Sequence, residues 1–141
     1  VEHRIEKVIN INGVTYYNDS KATNVEAVKV AINSFEKNIF LILGGQDKGG
    51  EFSILVPHIK NKVKRVIAYG DAANIIKTAL RDAVKLKIVF SLKHAVKYCH
   101  NHAQPGDEVL LSPGCASFDQ FKNFEERGNF FKTIVNEMAK A

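Results

Sequence analysis

The stretch Ile39-Phe40-Leu41-Ile42-Leu43, followed by Gly44 and Gly45, decides the fold. Five consecutive apolar residues without polar alternation are typical of a strand that is buried on both faces. Such strands belong to parallel sheets that are covered by helices on each side. The sequence therefore predicts a central strand of a parallel sheet over residues 39–43, with a loop that begins at the two glycines.

Strand-like and helix-like segments alternate on both sides of this run. A helical apolar pattern covers 25–35, and short apolar runs cover 63–69 and 108–111. Alternation at this pitch predicts right-handed crossovers and a parallel sheet. The other predicted elements are a short helix over 52–59, a helix capped by Asp71 that reaches Leu80, a strand over 88–90, a helix capped by Ser91, and a last helix capped by Asn123.

The first eighteen residues follow a different pattern. Asn12-Gly13 lies in the middle of the segment 5–18, whose two arms alternate apolar and polar residues. An Asn-Gly pair favours a type I′ turn, because both turn residues need a positive φ. The predicted fold class is α/β, a three-layer Rossmann-like and mostly parallel sheet with an N-terminal β-hairpin, in a single domain over residues 1–141.

Length and composition restrict the possible functions. The chain has 141 residues, 45% hydrophobic and 25% charged, which indicates one globular domain and excludes disorder and coiled coil. No apolar run approaches the roughly 18 residues of a membrane span, and no signal peptide opens the chain. Two cysteines are too few for a disulfide scaffold. We expect a bacterial cytoplasmic protein with no membrane partner; the absence of an initiating Met suggests a piece of a longer chain.

The net charge of +5 suits an anionic partner but does not name one. Nucleic-acid binding would require clustered basic residues with interleaved aromatics, whereas here the charges are dispersed. The densest basic runs, 60–65 and 85–87, are interpreted as solvated connections between elements. We therefore expect no nucleic-acid partner and read the charge as a surface for small anions.

Three loops are candidates for a ligand site. In an open parallel sheet, ligands bind beyond the carboxyl ends of the strands. That rule selects the segments 18–24, 44–51 and 112–123, which are richer in small and polar residues than the other connections.

The first loop, Asn18 to Asn24, opens a helix whose N-terminal N–H groups attract anions. Lys21 adds a full positive charge, and Ser20 and Thr23 add hydroxyl donors. Thr23-Asn24-Val25-Glu26 also fits a capping box, in which Thr23 would cap the helix. Ligand contact and capping both remain open for this loop.

The second loop has four glycines in seven residues over 44–50, and glycine lets a backbone approach a ligand closely. The loop fits neither a Walker A pattern nor G-x-G-x-x-G. Lys48 could reach an anion as a point charge, or it could be a solvated lysine in a mobile turn.

The third loop carries Phe118 and Phe121, which indicates that it packs against something. Asn123 would cap the last helix, so that the N–H of Phe124 is available to a carboxylate. Cys115 has no evident catalytic partner and is interpreted as a small buried residue. The cluster Tyr98 to His102 contains a thiol and two imidazoles, but Cys99 lies on an apolar helix stripe, so no metal site is expected.

Four segments together resemble the C-terminal domain of the Mur ligases, and within that family the members that add D-glutamate. The resemblance covers essentially the whole chain. Its last segment is long and highly specific, and the loop Asp19 to Asn24 distinguishes the members that add D-glutamate. The matching segments are His3 to Glu6, Asn18 to Asn24, Leu43 to Gly45 with Lys48 and Phe52, and Leu111 to Gly128.

The resemblance implies a role in an ATP-dependent amide ligase of peptidoglycan synthesis, which activates the carboxylate of UDP-N-acetylmuramoyl-L-alanine as an acyl phosphate for attack by D-glutamate. It also implies a role for individual residues. Thr23 and Lys48 would hold the α-carboxylate of D-glutamate, and Ser117 and the N–H of Phe124 its side-chain carboxylate; Arg4 would reach the ATP phosphates and Asp19 the ribose, with Lys21 and Phe118 in support.

By the same resemblance, the family's UDP-binding domain and central ATPase domain have no counterpart in these residues. ATP and Mg²⁺ would be cofactors of the full-length enzyme, and we expect this domain to bind neither alone and to be inactive alone. Two alternatives remain. One is the C-terminal domain of another Mur or folylpolyglutamate-type ligase. The other is a free-standing Rossmann-like nucleotide-binding module, for which the turn 19–23 lacks the expected glycine.

Overall fold

The computed structural model describes all 141 residues of the chain. It contains six strands, five α-helices and one 3-10 turn over Phe52–Leu55. In chain order the elements are β1 Glu6–Ile11, β2 Val14–Asn18, α1 Val25–Asn33, β3 Ile39–Gly44, α2 Val56–Ile59, β4 Val63–Tyr69, α3 Ala73–Leu80, β5 Lys85–Ile88, α4 Leu92–His102, β6 Glu108–Leu111 and α5 Phe124–Lys140.

The six strands form one sheet in the order β1-β2-β6-β3-β4-β5. β1 pairs antiparallel with β2, and every other neighbouring pair is parallel. The last strand in sequence, β6, therefore lies between β2 and β3. The predicted fold class, a mostly parallel three-layer α/β sheet with an N-terminal hairpin, is confirmed.

The run that predicted the fold is the central strand β3. Ile39, Leu41 and Leu43 pack into the core on the side of α1, α2 and α3. Phe40 and Ile42 pack into a second core on the side of α4 and α5. Because successive side chains of a strand point to opposite faces, an unbroken apolar run supplies both cores at once. The helices on the two faces make the three layers.

The hairpin turn follows the sequence prediction. Asn12 and Gly13 have φ values of 51° and 89°, as a type I′ turn requires. The side chain of Asn10 tightens the turn, since its Oδ1 accepts a 3.0 Å hydrogen bond from the Gly13 N–H. β1 is thereby folded back onto β2.

Both predictions for residues 85–90 are wrong. The strand expected over 88–90 is β5, which covers Lys85–Ile88, and Phe90 is 82% exposed. In the edge strand β5, exposed residues alternate with half-buried ones, so it lacks the continuous apolar run that marks a central strand. The run 85–87 is thus a strand rather than a connection.

The prediction that Asp71 caps α3 is also wrong. The N-cap is Ala72, which makes no side-chain hydrogen bond to the helix, and the Asp71 N–H donates to Asp119 Oδ2 at 3.3 Å.

No helix in the structure combines the length and the apolar composition that a membrane span requires.

One charged side chain is fully buried in the core region. Arg127 on α5 is 0% exposed. Its Nε donates to Ser20 Oγ at 2.9 Å, and its two terminal nitrogens donate to the carbonyl oxygens of Ser20 at 2.7 Å and Cys115 at 3.0 Å. Burial lowers the pKa of Arg127. The guanidinium thus joins α5 to the loops that follow β2 and β6.

Replacing Arg127 by Ala is expected to lower the free energy of unfolding by about 3 kcal/mol, because three buried acceptors would lose charge-assisted hydrogen bonds. Urea denaturation followed by circular dichroism measures the change. Arg81→Ala is the matched control, since Arg81 is exposed at the end of α3. Equal losses in the two variants would contradict the assignment.

Candidate functional site

The sheet order brings the three candidate loops together. Their strands β2, β6 and β3 are parallel neighbours, so all three carboxyl ends meet at one edge of the sheet. Backbone hydrogen bonds continue the sheet into the loops: Asp19 N–H donates to the Leu111 carbonyl at 2.7 Å, and Gly44 N–H to the Pro113 carbonyl at 3.1 Å. The loops expected from sequence to share a site are therefore in contact.

The loop after β6 lies between the other two. On one side, the Gly114 N–H donates to the Ala22 carbonyl at 2.9 Å. On the other side, Gln46 and Ala116 exchange two backbone hydrogen bonds of 2.9 and 3.1 Å. A Cβ on Gly45, whose φ is +126°, would clash with the Ala116 carbonyl. Glycine at 45 therefore lets the two loops approach each other.

Thr23 does not cap α1, which corrects the capping-box interpretation. The N-cap is Asn24, whose side chain accepts a 2.9 Å hydrogen bond from the Ala27 N–H. Asn is at least as good an N-cap as Thr, and the helix begins one residue later than the capping box would place it. The half-buried Thr23 hydroxyl is consequently not used by the cap.

The glycine loop is held by its own aspartate. Asp47 Oδ1 accepts hydrogen bonds of 3.1 Å from the N–H groups of both Gly49 and Gly50. A Cβ on Gly50 would lie 2.9 Å from Val25 Cγ2, so the loop packs closely on the start of α1. Lys48 is exposed on this frame, on the same loop as Asp47.

Ser117 and Phe124 mark the two ends of the turn that leads into α5. Ser117 is buried, and its carbonyl accepts from the N–H groups of Gln120 and Phe121. Asn123 caps α5 as predicted, accepting from Glu126 N–H at 2.8 Å. Phe124 is the first helical residue, so its N–H has no acceptor within the helix. Phe118, between the two, is 65% exposed.

The residues predicted to contact ATP line a cleft of about 270 Å³ beside the loop after β2. Arg4, Asp19 and Lys21 supply its charged groups. Arg4 and Lys21 are exposed, whereas Asp19 is only 4% exposed. The structure therefore brings these three together. Thr23, on the same loop as Asp19 and Lys21, does not line this cleft, and neither does Lys48. Its remaining walls are apolar and come from Ile5, Ala22, Ala27 and Val30.

The backbone that presents Arg4 is strained. His3 and Ile5 have φ values of 64° and 44°, and the left-handed region is unfavourable for a β-branched residue. Two hydrogen bonds hold this conformation: Lys21 N–H donates to the His3 carbonyl at 3.0 Å, and Ile5 N–H donates to Asp19 Oδ1 at 3.0 Å. The segment thus crosses over the loop after β2 with Arg4 at its apex.

Asp19 is the buried acid of the site. Its Oδ1 accepts from Ile5 N–H, and its Oδ2 accepts from Ser112 Oγ at 2.7 Å. Burial raises the pKa of Asp19 to about 6, although these hydrogen bonds and the charge of Arg4 act in the opposite direction. Ionising the carboxylate in this position lowers the stability of the fold. Its two hydrogen bonds nevertheless fix the orientation of the side chain.

Sequence reasoning assigned no role to two buried residues beside the site. Arg127 falls three residues after Phe124 and four before Phe131. This spacing places it on the apolar face of α5, and could have indicated from sequence that its side chain is buried. His3 is 5% exposed, and its Nδ1 lies 2.9 Å from Asn18 Nδ2. A Cβ at Gly128 would clash with the His3 ring, so this glycine admits the N-terminal segment against α5. No pattern in the sequence predicts the contact between His3 and Gly128.

The two cysteines lie in the core. Cys115 is fully buried, as expected, and burial raises the pKa of its thiol to about 12. Cys99 is buried on α4, while His102 stacks on Tyr98 with ring centroids 4.0 Å apart. No three His, Cys, Asp or Glu side chains gather into a group that could hold a metal ion.

Comparisons of the sequence with known proteins identify its family. Residues 3–115 fit the sequence model of the family described as "Mur ligase, glutamate ligase domain". The chain is 46% identical over 136 residues to UDP-N-acetylmuramoylalanine--D-glutamate ligase of Chlamydia caviae, covering 96% of the chain and 32% of that protein. It is 50% identical over 135 residues to the protein of the same name from Acidobacterium capsulatum, covering 96% and 29%. The chain thus spans about a third of the length of these relatives.

The fold recurs in solved structures of low sequence identity. One is the bifunctional folylpolyglutamate synthase/dihydrofolate synthase from Yersinia pestis, complexed with AMPPNP and Mn, with a TM-score of 0.67 at 12% identity. That alignment covers 96% of this chain and 32% of the other, and it shows the shared fold alone. The family match over residues 3–115 establishes that the chain belongs to the Mur ligase family, as its glutamate ligase domain.

Proposed function

We propose that this chain is the D-glutamate-binding domain of an ATP-dependent ligase that joins D-glutamate to UDP-N-acetylmuramoyl-L-alanine in peptidoglycan biosynthesis. One observation carries the proposal: the loops after β2, β3 and β6 meet at a single sheet edge. The names of the relatives at 46% and 50% identity support the choice of D-glutamate. We assign the activity to the bacterial cytoplasm, where ATP and UDP-linked sugars are available.

Four groups of this chain would bind the two carboxylates of D-glutamate. Lys48 and the Thr23 hydroxyl would hold the α-carboxylate. Ser117 and the Phe124 N–H would hold the side-chain carboxylate, at a helix end where the backbone dipole favours an anion. Charge-assisted hydrogen bonds are the strong ones, so a dianion gains from such a set. The Thr23 hydroxyl, which is not used because Asn24 caps α1, and the N–H of Phe124, which has no acceptor within α5, support these roles.

The cleft lined by Arg4, Asp19 and Lys21 would face ATP. Arg4 would contact the phosphates, Asp19 the ribose, and Lys21 would add positive charge beside them. The gathering of all three around one cleft of about 270 Å³ supports this assignment. In the proposed full-length enzyme, the substrate carboxylate takes the terminal phosphoryl group of ATP, and the D-glutamate amine then displaces phosphate to form the amide. The Mg²⁺ expected for that reaction is not assigned to this chain, because its residues form no fitting ligand group.

The two alternatives are less well supported. Solved folylpolyglutamate and other Mur-type ligases share the fold at 9–18% identity, far below the 46% and 50% of the D-glutamate ligases. A free-standing nucleotide module would have a glycine-rich turn after its first parallel strand. Here β2 is followed by Asp19 to Thr23, which contains no glycine.

D-Glutamate added to the isotope-labelled chain is expected to shift the amide resonances of Thr23, Lys48, Ser117 and Phe124, with weak affinity because the other domains are missing. Amide chemical-shift titration measures the effect, with L-glutamate as the stereochemical control. The Lys48→Ala variant should lose most of the response, whereas Lys60→Ala should keep it. Shifts spread over residues 60–65 would count against the assignment.

The chain alone is expected to release no phosphate from ATP, even with D-glutamate and the UDP-linked substrate present, since it lacks a phosphate cradle. A coupled phosphate-release assay makes the measurement, with a full-length ligase as positive control. Sustained turnover by the chain itself would overturn the domain assignment.

Asp19→Asn is expected to separate folding from binding. The pKa of Asp19 rises from near 3.8 to about 6 on folding. Ionisation of the buried carboxylate therefore lowers the free energy of unfolding as pH rises from about 4 to 6, and the loss reaches roughly 2–3 kcal/mol at higher pH. Asn keeps the acceptor for Ile5 N–H and can donate to Ser112 Oγ. Thermal unfolding from pH 4 to 8 should therefore show a flatter profile and equal or higher stability at pH 8.

In the full-length enzyme, the same Asp19→Asn change should raise KM for ATP if the carboxylate contacts the ribose. Asp82→Asn serves as the control, since Asp82 is exposed after α3. A stability profile as steep as that of the parent would show that Asp19 is not the titrating group.

A further inference from the structure

A second concave surface lies between α4 and α5, on the opposite side of the sheet from α1. It is a groove of about 260 Å³, and we refer to it as the α4–α5 groove. Its floor is apolar and its rim is basic. The floor consists of Val96, Ile134 and Met138, and the rim carries the exposed side chains of Lys93, Lys97 and His100.

The α4–α5 groove is remote from the three loops of the candidate site. Ile134 and Met138 follow Phe124 by ten and fourteen residues on the same helix, which corresponds to roughly 15 and 21 Å along its axis. A partner seated in the groove would therefore leave the loops accessible. The groove and the proposed ligase site can be occupied independently.

The charge of the rim is uncompensated. α4 contains no Asp or Glu over Leu92–His102, and neither Lys93 nor Lys97 takes part in an ion pair. By contrast, Lys64 and Lys132 pair with carboxylates at 2.8 and 2.9 Å. Like charges four residues apart on a helix repel each other, so an acidic partner would relieve this repulsion.

The shape of the α4–α5 groove suits a helix. Residues of α4 and α5 line its two sides, and apolar side chains of both helices form its floor. An amphipathic helix can lay its apolar residues into such a groove, and the flexible Met138 can adapt to them. We propose that the α4–α5 groove binds an acidic amphipathic helix of a partner protein, with carboxylates on Lys93 and Lys97.

The test uses the whole 141-residue chain and two fluorescein-labelled helical peptides with the same leucine stripe. One peptide carries Glu at every polar position and the other carries Lys. Fluorescence anisotropy should show that the acidic peptide binds, that high salt weakens it, and that the basic peptide binds much more weakly. Equal binding of the two peptides would overturn the proposal.

Charge reversal locates the site. Lys93→Glu with Lys97→Glu should weaken acidic-peptide binding by about tenfold, since two favourable charge contacts become repulsive. The matched control, Lys77→Glu with Lys85→Glu, makes the same change in net charge at exposed positions outside the groove. Met138→Glu, checked for folding by circular dichroism, should also weaken binding.

Three further outcomes would overturn the proposal. Equal losses in the two double variants would show a net-charge effect only. Unchanged affinity in Lys93→Glu with Lys97→Glu would place the peptide elsewhere. Sedimentation of the chain with phosphatidylglycerol vesicles, sensitive to the Lys93 and Lys97 changes and without acidic-peptide binding, would identify an anionic lipid surface instead.

Discussion

The buried guanidinium of Arg127 is the constraint on which the arrangement of the loops depends. One rigid, planar group donates to the Ser20 hydroxyl, the Ser20 carbonyl and the Cys115 carbonyl. The Ser20 hydroxyl in turn donates to the Phe124 carbonyl at 2.7 Å. The start of α5 and the loops after β2 and β6 therefore share one hydrogen-bond network. A lysine could not replace it, because a point charge lacks the forked geometry that reaches three acceptors.

This network works only because of the strand order. Since β6 lies between β2 and β3, the chain must run out to β5 and return before the central strands are complete. Loops separated by about ninety residues in sequence then meet, as the Ser112–Asp19 hydrogen bond shows. Such long-range closure is costly in chain entropy, and the apolar strands β3 and β6 offset it by filling both cores.

The secondary-structure elements and their caps could be predicted from the sequence more accurately than the contacts between elements. The apolar run of β3, the Asn12-Gly13 turn and the caps Ser91 and Asn123 each rest on local chemistry, and all are confirmed. The edge strand β5 was misplaced because half of its residues face solvent. The approach of His3 to Gly128 could not be foreseen, since it depends on how a strained segment crosses a helix that lies far away in sequence.

The cleft beside Arg4 shows where this domain departs from its most stable form. Ile5 adopts an unfavourable φ, and Asp19 is a buried acid with a raised pKa, yet each supports the other through the Ile5–Asp19 hydrogen bond. Strain of this kind persists only where the surroundings determine the conformation. No residue of α4 or α5 has a positive φ, and the lysines at the rim of the α4–α5 groove are exposed. The two surfaces therefore differ physically: one is built to hold a fixed geometry, whereas the other can adapt to what it binds.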